Sequence, residues 1–540
     1  MQISASTRLA ALAMFSTFLW ASAGAGPLLS ATLSASAAAR ILEQATWGPT
    51  PASIAQLQSL GFDQWFTNQV NAPISTFPNQ PMLNPTNPAL TNFDLTPVQR
   101  QFFQYALSNP DQLRQRVAFA LSEIWVVSHL EVEHAAAFPP LLNIFQKDAF
   151  ANYSVLMKDV TLNPAMGEFL NMVNNNAATA TSSPNENYGR EMMQLFTIGL
   201  NVLNPDGTLA LGSSENSLTT YPQSPTVPGM AAALTGWTYA PTATGATPPN
   251  LFLPMVPNPN TKLHDTTQKT LVFTFPPSYG NPNGTTETLI VPAGNTADID
   301  LAFVIEYLVQ NPSMAPFISQ QLIQHLVTSN PSPEYVNRVA DVFANNNGNL
   351  QKVVYAILTD PEARAGDSGV SDEPATFGHL REPVLLVENL LRGLNGTVSS
   401  TSTVYNYTSA MGQSLFNAPS VFSYFSPQFG LQGGLLGPEF QLYTTQTAVN
   451  RANYIYDAVY RGALDAGTTF NISPFVTAAT TSTTALKTAI SNTFFHGMMS
   501  SAVRQNIDLA LTGLVTLTPT TEAQAALYIA LTSSEYQTIH

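Results

Sequence analysis

The sequence predicts a mainly α protein, a large helical domain that carries a β-rich insertion. Apolar residues recur at helical spacing through most of the chain, and capping residues and prolines mark the helix starts. One region is instead rich in Pro, Thr, Gly and Asn. We therefore divide the chain into a signal peptide (1–25), an N-terminal helical part (26–203), a β-rich insertion (204–298) and a C-terminal helical part packed with the N-terminal part (299–540).

The first residues have the pattern of a secretory signal. Arg8 is followed by the apolar run Leu9–Trp20 and then by the small residues Ala21–Ala25, which a signal peptidase accepts. An uncleaved anchor is the alternative, but the run is shorter than the ~20 residues that a membrane span needs. We expect cleavage, a secreted or periplasmic protein, and no transmembrane segment in the mature chain.

Composition excludes several classes of function. The chain has no cysteine, so thiolate catalysis and cysteine-based metal sites are ruled out. Its 34 acidic and 19 basic residues give a net charge of -15, which argues against nucleic acid and anionic lipid as partners. Ser, Thr, Asn and Gln must cover most of the surface, a composition common in exported proteins and compatible with carbohydrate contact.

Helix signals dominate the N-terminal part. The first helix is predicted at Ala37–Ala45, and the next begins where Thr50 can cap and Pro51 occupies the first helical position. Further helices are predicted at Pro97–Leu107 and Pro110–Val127, in a block that continues to Asn174.

Turn and strand signals replace this pattern in the insertion. Asn204–Gly207 is a turn signal between apolar flanks. The best hairpin pairs Thr270–Phe275 with Glu287–Val291 across a long turn at Pro276–Thr285.

Helix signals resume in the C-terminal part. Ser332 is placed to cap a helix that Pro333 opens and that ends at Asn345–Gly348. The other predicted helices are Asp300–Val309, Pro312–Val327, Leu380–Leu394, Thr445–Tyr460, Ala502–Leu514 and Glu522–Leu531.

The segment Pro184–Phe196 is the main chemical anomaly, because it places Glu186, Arg190 and Glu191 within six positions of a chain with only 10% charged residues. On a helix, Glu186 and Arg190 can pair at i, i+4. The two carboxylates point about 140° apart and cannot form a catalytic pair by themselves. The segment is either a pocket-lining face or a helix start supported by an ion pair. Its candidate binding residues are Asn185, Asn187, Arg190 and Gln194.

Histidines supply the other candidates. His264 and Asp265 could serve as a base with its orienting partner, or the aspartate could simply stabilise a turn. His379, Arg381 and Glu382 could form a polar junction near the Glu191 face. The spacing of His129–His134 fits neither a helical nor an extended metal site, so we predict neither a metal nor a cofactor. His325, with apolar neighbours, is expected to be a core histidine.

Several segments together resemble a bacterial family known as domain of unknown function 1800. They are Ala39–Thr50, Asn185–Leu200, Ala233–Thr238, His264–Asp265 with Lys269–Leu271, Ala315–Leu322, Arg381–Pro383 and Pro419–Phe422. The resemblance implies a predominantly helical exported protein and supplies no reaction. Many relatives carry Trp-His-Asn-His-Phe where this chain reads Leu121–Trp125, so both histidines of that motif are missing here.

Two functions follow as hypotheses, and the sequence leaves open whether the protein is an enzyme. The first is a non-enzymatic protein that binds or organises an extracellular or envelope partner, such as a polysaccharide or an envelope protein. The alternative is a hydrolase or lyase of an extracellular polymer, with Glu186 or Glu191 as acid or base and His264, beside Asp265, as helper.

Overall fold

The computed structural model describes residues 33–212, 216–242, 249–277, 284–368, 374–513 and 517–540. The predicted signal peptide lies outside the described residues. Helices make up most of this part of the chain and the strands form small separate sheets, so the predicted mainly α class is confirmed. The division into parts stays a prediction.

The N-terminal region contains nine α-helices among its described residues, and a 3₁₀ turn at Ala135–Ala137. They are α1 (Ala35–Ala45), α2 (Pro51–Leu60), α3 (Phe62–Val70), α4 (Thr96–Ser108), α5 (Gln112–Ile124), α6 (Phe138–Asp148), α7 (Tyr153–Thr161), α8 (Pro164–Phe169) and α9 (Asn187–Gln194). The cap at Thr50 is confirmed: its hydroxyl accepts from the Ser53 amide at 3.1 Å. Two short strands, β1 (Leu83–Asn84) and β2 (Asn87–Thr91), pair between α3 and α4.

The predicted hairpin is confirmed in the insertion. Strands β5 (Lys269–Phe275) and β6 (Thr285–Val291) pair antiparallel, with Thr270 opposite Ile290. Most of the predicted turn between them lies outside the described residues. The strands β3 (Trp237–Thr238) and β4 (Val256–Pro257) form a second small pair.

The insertion also contains a helix that the sequence did not predict, α10 (Gln223–Ala233). Pro225 and Pro228 fall inside its span, but Ser224 has extended backbone angles, so the regular helix begins at Pro225 and both prolines lie in its first four positions, where the amide has no partner within the helix. The helix lies against β5: a Cβ atom on Gly229 would stand 2.7 Å from the carbonyl oxygen of Thr270.

The C-terminal region returns to helices. They are α11 (Ala297–Gln310), α12 (Met314–Leu326), α13 (Pro333–Asn345), α14 (Leu350–Thr359), α15 (Pro361–Arg364), α16 (Pro383–Gly393), α17 (Tyr405–Ala410), α18 (Thr445–Tyr456), α19 (Ser473–Thr481), α20 (Thr483–Phe494), α21 (Ser501–Thr512), α22 (Pro519–Leu531) and α23 (Ser534–Gln537). The cap at Ser332 is confirmed, since its hydroxyl accepts from the Tyr335 amide at 3.1 Å. The predicted stop is confirmed by left-handed Asn347 and Gly348.

Short strands connect distant parts of this region. The strand β7 (His379–Leu380) pairs with β11 (Thr538–Ile539), so the last described residues lie beside the start of α16. The strands β8 (Thr397–Val398), β9 (Ala463–Asp465) and β10 (Thr468–Thr469) form a three-stranded sheet. A 3₁₀ turn at Pro438–Leu442 precedes α18.

One continuous hydrophobic cluster joins the three predicted parts. It includes Ile41 from the N-terminal part, Leu271 and Phe273 from the insertion, and Leu322 and Leu386 from the C-terminal part, all of them buried. Within the described ranges no helix has the length and apolarity needed to cross a membrane.

The contact between α10 and β5 makes Gly229 a sensitive position. We expect Gly229→Ala to lower the free energy of unfolding by about 1 to 3 kcal/mol, because the added methyl group has no room against the β5 backbone. Gly430→Ala, where a Cβ atom would meet nothing within 4 Å, should change it by less than about 0.5 kcal/mol. Urea unfolding of both variants measures the difference, and equal effects would contradict the close packing of α10 on β5.

Candidate active site

The charged segment predicted from the sequence forms the short helix α9. Arg190 Nη2 lies 2.8 Å from Glu186 Oε2, the i, i+4 pair expected on a helix, and both side chains are about one-third exposed (33% and 35%). Arg190 Nη1 also donates to Gln223 Oε1 at 2.9 Å. This pair links α9 to the start of α10.

The other candidates of this segment have separate local contacts. Asn185 exchanges hydrogen bonds of 2.8 and 2.9 Å with Asn175, and Asn187 donates to Asn171 at 2.8 Å. Gln194 is half-buried at the end of α9. Glu191 is half-buried as well; burial raises its pKa and the charge of Arg190 opposes that shift.

His264 and Asp265 attach the insertion to the helical body. His264 Nδ1 donates to the Thr235 carbonyl at 2.9 Å, and its Nε2 lies 3.2 Å from Asp300 Oδ2 on α11. Lys269 Nζ donates to the same aspartate oxygen at 2.6 Å. Asp265 accepts from the Thr267 amide at 2.8 Å, which is the turn-stabilising arrangement. The hydrogen bonds described for these two residues do not reach α9.

The structure instead brings ionisable side chains together between α5, α12, the start of α16 and the 3₁₀ turn. These are Arg116 and Glu123 from α5, His325 from α12, His379 from β7, Glu382 from the start of α16 and Glu439 from the 3₁₀ turn. Their side chains are almost entirely buried, and the most exposed of the imidazoles and carboxylates, His325, retains 11%.

Gln413 connects two of the carboxylates. Its Nε2 donates to Glu123 Oε1 at 3.0 Å and to Glu382 Oε2 at 2.5 Å. Its Oε1 accepts from the backbone amide of Val384 at 2.8 Å, which fixes the orientation of the side-chain amide. Burial raises the pKa of Glu123 well above its ordinary value of 4.5, and the charge of Glu382 adds to the shift. Burial likewise raises the pKa of Glu382. The two neighbouring buried carboxylates therefore disfavour carrying a charge at the same time.

Arg116 supplies the positive charge of this cluster. The Arg116 guanidinium is fully buried and donates from Nη2 to the carbonyl oxygen of His325. Burial lowers the pKa of Arg116, while the charges of Glu382, Glu123 and Glu439 raise it. The arginine offsets part of the cost of burying three carboxylates.

Two histidines stand next to two of the carboxylates. His325 Nδ1 lies 3.4 Å from Glu123 Oε2, and His379 Nδ1 lies 3.0 Å from Glu439 Oε1. Burial lowers the pKa of His325 to about 3, with the charges of Arg116 and His379 acting in the same direction. His325 is therefore a neutral imidazole at physiological pH.

A cleft opens onto this cluster. The lining side chains are Glu123, Gln321, Gln324, His325, Phe422, Ser423, Phe425, Pro427, Pro438 and Glu439. The cavity between them has a volume of about 20 Å³, room for about one water molecule. Glu123 Oε2 has no hydrogen-bond partner among the described residues, although it is buried. A reactive group at the floor of a cleft is the usual arrangement of an active site.

A second buried network supports the back of the site. Arg381 pairs with Glu43 of α1, and Glu43 Oε2 also accepts from Asn389 at 2.9 Å. Tyr536 donates to Asn389 at 2.8 Å, and its ring lies 4.8 Å below the Arg381 guanidinium. Burial alone would raise the pKa of Glu43, but Arg381 and His496 lower it to about 2. The network ties α1, α16 and α23 together directly behind His379 and Glu382.

Part of this site is predictable from the sequence. The predicted polar junction contributes His379 and Glu382 to it, and Arg381 to the network behind it. Arg116 and Glu123 were missed because α5 was recognised by its apolar spacing. They are seven residues apart, two turns of one helix face, and two charges on such a face are the signal that could have identified them. Nothing local marks Gln413 or Glu439.

His325 is buried, as expected, but it also lines the cleft. Over the described residues no three His, Asp or Glu side chains are arranged to hold a metal ion. His129, in the segment considered for metal binding, packs its ring edge-on against Phe138.

Comparison with known families now identifies the chain. The family model described as "Protein of unknown function (DUF1800)" matches residues 40–538. The protein belongs to this family, which confirms the resemblance found in its motifs. No curated protein and no solved structure matched the chain. The function has to be inferred from the site itself.

The raised pKa of Glu123 predicts a pH-dependent stability. The folded protein retains a proton on this carboxyl that the unfolded chain releases above pH 4.5, so stability falls as the pH rises above that value. Glu123→Gln removes the titration and the repulsion of Glu382, and should flatten this fall. Urea unfolding between pH 5 and 8 tests it, with Glu306→Gln on the exposed face of α11 as the control. An unchanged pH slope in Glu123→Gln would contradict the assignment.

The lowered pKa of Glu43 predicts a pH dependence of stability opposite in sign to that of Glu123. Its lowered pKa contributes stability that is present above pH 4.5 and is lost as the pH falls toward 2. Glu43→Gln leaves the buried Arg381 without its charge partner and should cost roughly 3 to 5 kcal/mol at pH 7. The loss should be smaller at pH 3. An equal loss at both pH values in denaturant titrations would show that packing, and not charge, is responsible.

Proposed function

We propose that the protein is an exported hydrolase or lyase of an extracellular or envelope polymer, with Glu123 as its general acid. The observation that carries the proposal is that the two carboxyl oxygens of Glu123 differ in their hydrogen bonding. Oε1 accepts from the Gln413 amide, whereas Oε2 has no hydrogen-bond partner among the described residues and lies 3.4 Å from His325 Nδ1; the Glu123 side chain lines the cleft. A proton retained on this carboxyl therefore resides on Oε2, where it can be given to a leaving group.

Glu439 is the proposed base. It lines the same cleft, and its oxygens lie 3.0 Å from His379 Nδ1 and 3.4 Å from the Ser329 hydroxyl. A carboxyl group that donates and a carboxylate that accepts, placed on one cleft, are the minimum that acid–base cleavage of a polymer requires. The Glu123 carboxyl recovers its proton from water after each turnover.

Glu186 and His264, the candidates predicted from the sequence, have other contacts in the structure. Glu186 pairs with Arg190, and His264 pairs with Asp300, so both are engaged in contacts that hold the fold together. Glu191, with one buried oxygen lacking a partner, is the member of that group that the activity test must include.

A purely binding or organising role for an envelope partner is the second candidate function. The observation that favours it is the low exposure of the floor, since the Glu123 side chain is only 2% accessible. Turnover at Glu123 requires the segment Phe422–Pro427, which forms one wall of the cleft, to move aside. A binding protein requires only the outer cleft.

Release of products from insoluble dyed polysaccharides, peptidoglycan and polyesters tests the enzymatic proposal. We expect Glu123→Gln and Glu439→Gln each to lower turnover by about 10² to 10⁴-fold, the usual contribution of a general acid or base. Glu306→Gln should leave turnover unchanged. Loss of turnover in Glu191→Gln with full activity in Glu123→Gln would show that the catalytic carboxyl group lies on α9. Binding without turnover on every polymer would favour the second candidate.

A further inference from the structure

A lysine, an aspartate and an asparagine form a short chain of hydrogen bonds at the base of the β5–β6 hairpin. Lys269 Nζ donates to Asp300 Oδ2 at 2.6 Å, and Asn295 Nδ2 donates to Asp300 Oδ1 at 2.8 Å. One carboxylate therefore holds the lysine amine on one oxygen and the asparagine amide on the other. A primary amine and a carboxamide are the two groups from which an amide cross-link can form.

The hairpin register places these groups together. Lys269 begins β5 and stands opposite the last residue of β6. After β6 the chain turns back, and the Gly294 amide donates to the Thr266 carbonyl at 2.8 Å, which brings Asn295 next to the start of β5. Asp300 follows in the first turn of α11. The backbone therefore holds the amine and the amide beside the same carboxylate.

The amine and the carboxylate are shielded from water. The Lys269 side chain is 2% exposed and that of Asp300 is 0% exposed. Lys269 Nζ also donates to the carbonyl oxygen of Asp265. The pair of Lys487 and Asp508 has the ordinary arrangement, because both aspartate oxygens accept from the one ammonium and the aspartate is 53% exposed. Burial and an amide on the second oxygen distinguish the Lys269 site.

The carboxylate can move the protons that amide exchange requires. Asp300 takes a proton from the Lys269 ammonium through Oδ2, and the neutral amine then attacks Cγ of Asn295. The amine loses a second proton as the new C–N bond forms. The Asn295 nitrogen receives both protons through Oδ1 and departs as ammonium when its C–N bond breaks. The exchange therefore needs no oxidant, reductant or further reactant.

The resting state is the ion pair. Burial by itself would raise the pKa of Asp300, but hydrogen bonds from His264, Lys269 and Asn295 hold that pKa below its ordinary value. The neutral amine is therefore present in a small fraction of molecules at any time. A reaction that occurs once in each molecule needs only this fraction, because the amine and the amide stay in place beside the carboxylate.

We propose that Lys269 and Asn295 form an isopeptide bond, with Asp300 as the group that transfers the protons. The bond joins the start of β5 to the connection between β6 and α11, and it constrains the unfolded chain as a disulfide does. The chain contains no cysteine, so a disulfide cannot supply this constraint. The inference is independent of the cleft and of the function proposed above.

The mass of the full mature chain tests the proposal. Under denaturing conditions we expect a mass below that of the mature sequence by one ammonia. Trypsin adds a local test, because it does not cleave after a lysine whose amine carries an acyl group and has lost its charge. Lys269 is the one cleavage site inside the segment Leu263–Arg338, so we expect this segment as a single uncut peptide that lacks one ammonia.

Two results would overturn the proposal. The first is a mass equal to that of the mature sequence. The second is loss of ammonia together with complete cleavage after Lys269, which would place the loss at another residue, such as a cyclised asparagine. Loss of one water in place of ammonia from the uncut peptide would identify Asp300 as the acyl partner and would also contradict the assignment to Asn295.

Variants assign the reacting groups. Asn295→Leu removes the amide from a half-buried position, and we expect it to restore both the sequence mass and cleavage after Lys269. Lys269→Arg keeps the positive charge beside Asp300 without a reactive amine and should also show the sequence mass. Lys487→Arg is the matched control and should leave the ammonia loss unchanged. Ammonia loss that persists in Asn295→Leu would refute the proposed bond.

Discussion

The burial of Arg116 among carboxylates is the constraint on which the rest of the site depends. A guanidinium taken out of water is costly, and so is each carboxylate, so neither is tolerable alone. Here Arg116 lies within the electrostatic reach of Glu123, Glu382 and Glu439, which come from three different elements. The charges hold these elements in one arrangement because separating them would leave each buried group uncompensated.

This arrangement is not fully satisfied within the chain. Arg116 Nε and Nη1, Glu123 Oε2 and His379 Nε2 are buried without a hydrogen-bond partner among the described residues. A site built only for stability would pair these atoms or replace them with apolar groups, since both alternatives are less costly. Glu123 lines the cleft, where a ligand or ordered water can complete the network.

The network around Glu43 shows the contrasting case. Glu43, Arg381, Asn389 and Tyr536 satisfy one another through hydrogen bonds. The two networks meet at the start of α16, where Arg381 belongs to the network around Glu43 and Glu382 belongs to the network around Arg116. The network around Glu43 fixes the position of α16, and this positions Glu382 next to Gln413.

The sequence by itself determined the helical class, the caps at Thr50 and Ser332, the β5–β6 hairpin and the family, because each depends on residues close together in the chain. It also indicated the junction of His379, Arg381 and Glu382. Only the tertiary structure decided that Glu123 and Glu382 share Gln413, and that Glu439 faces the same cleft. These residues are up to 316 positions apart, and their meeting follows from the packing of α5, α12 and α16, which no local pattern encodes.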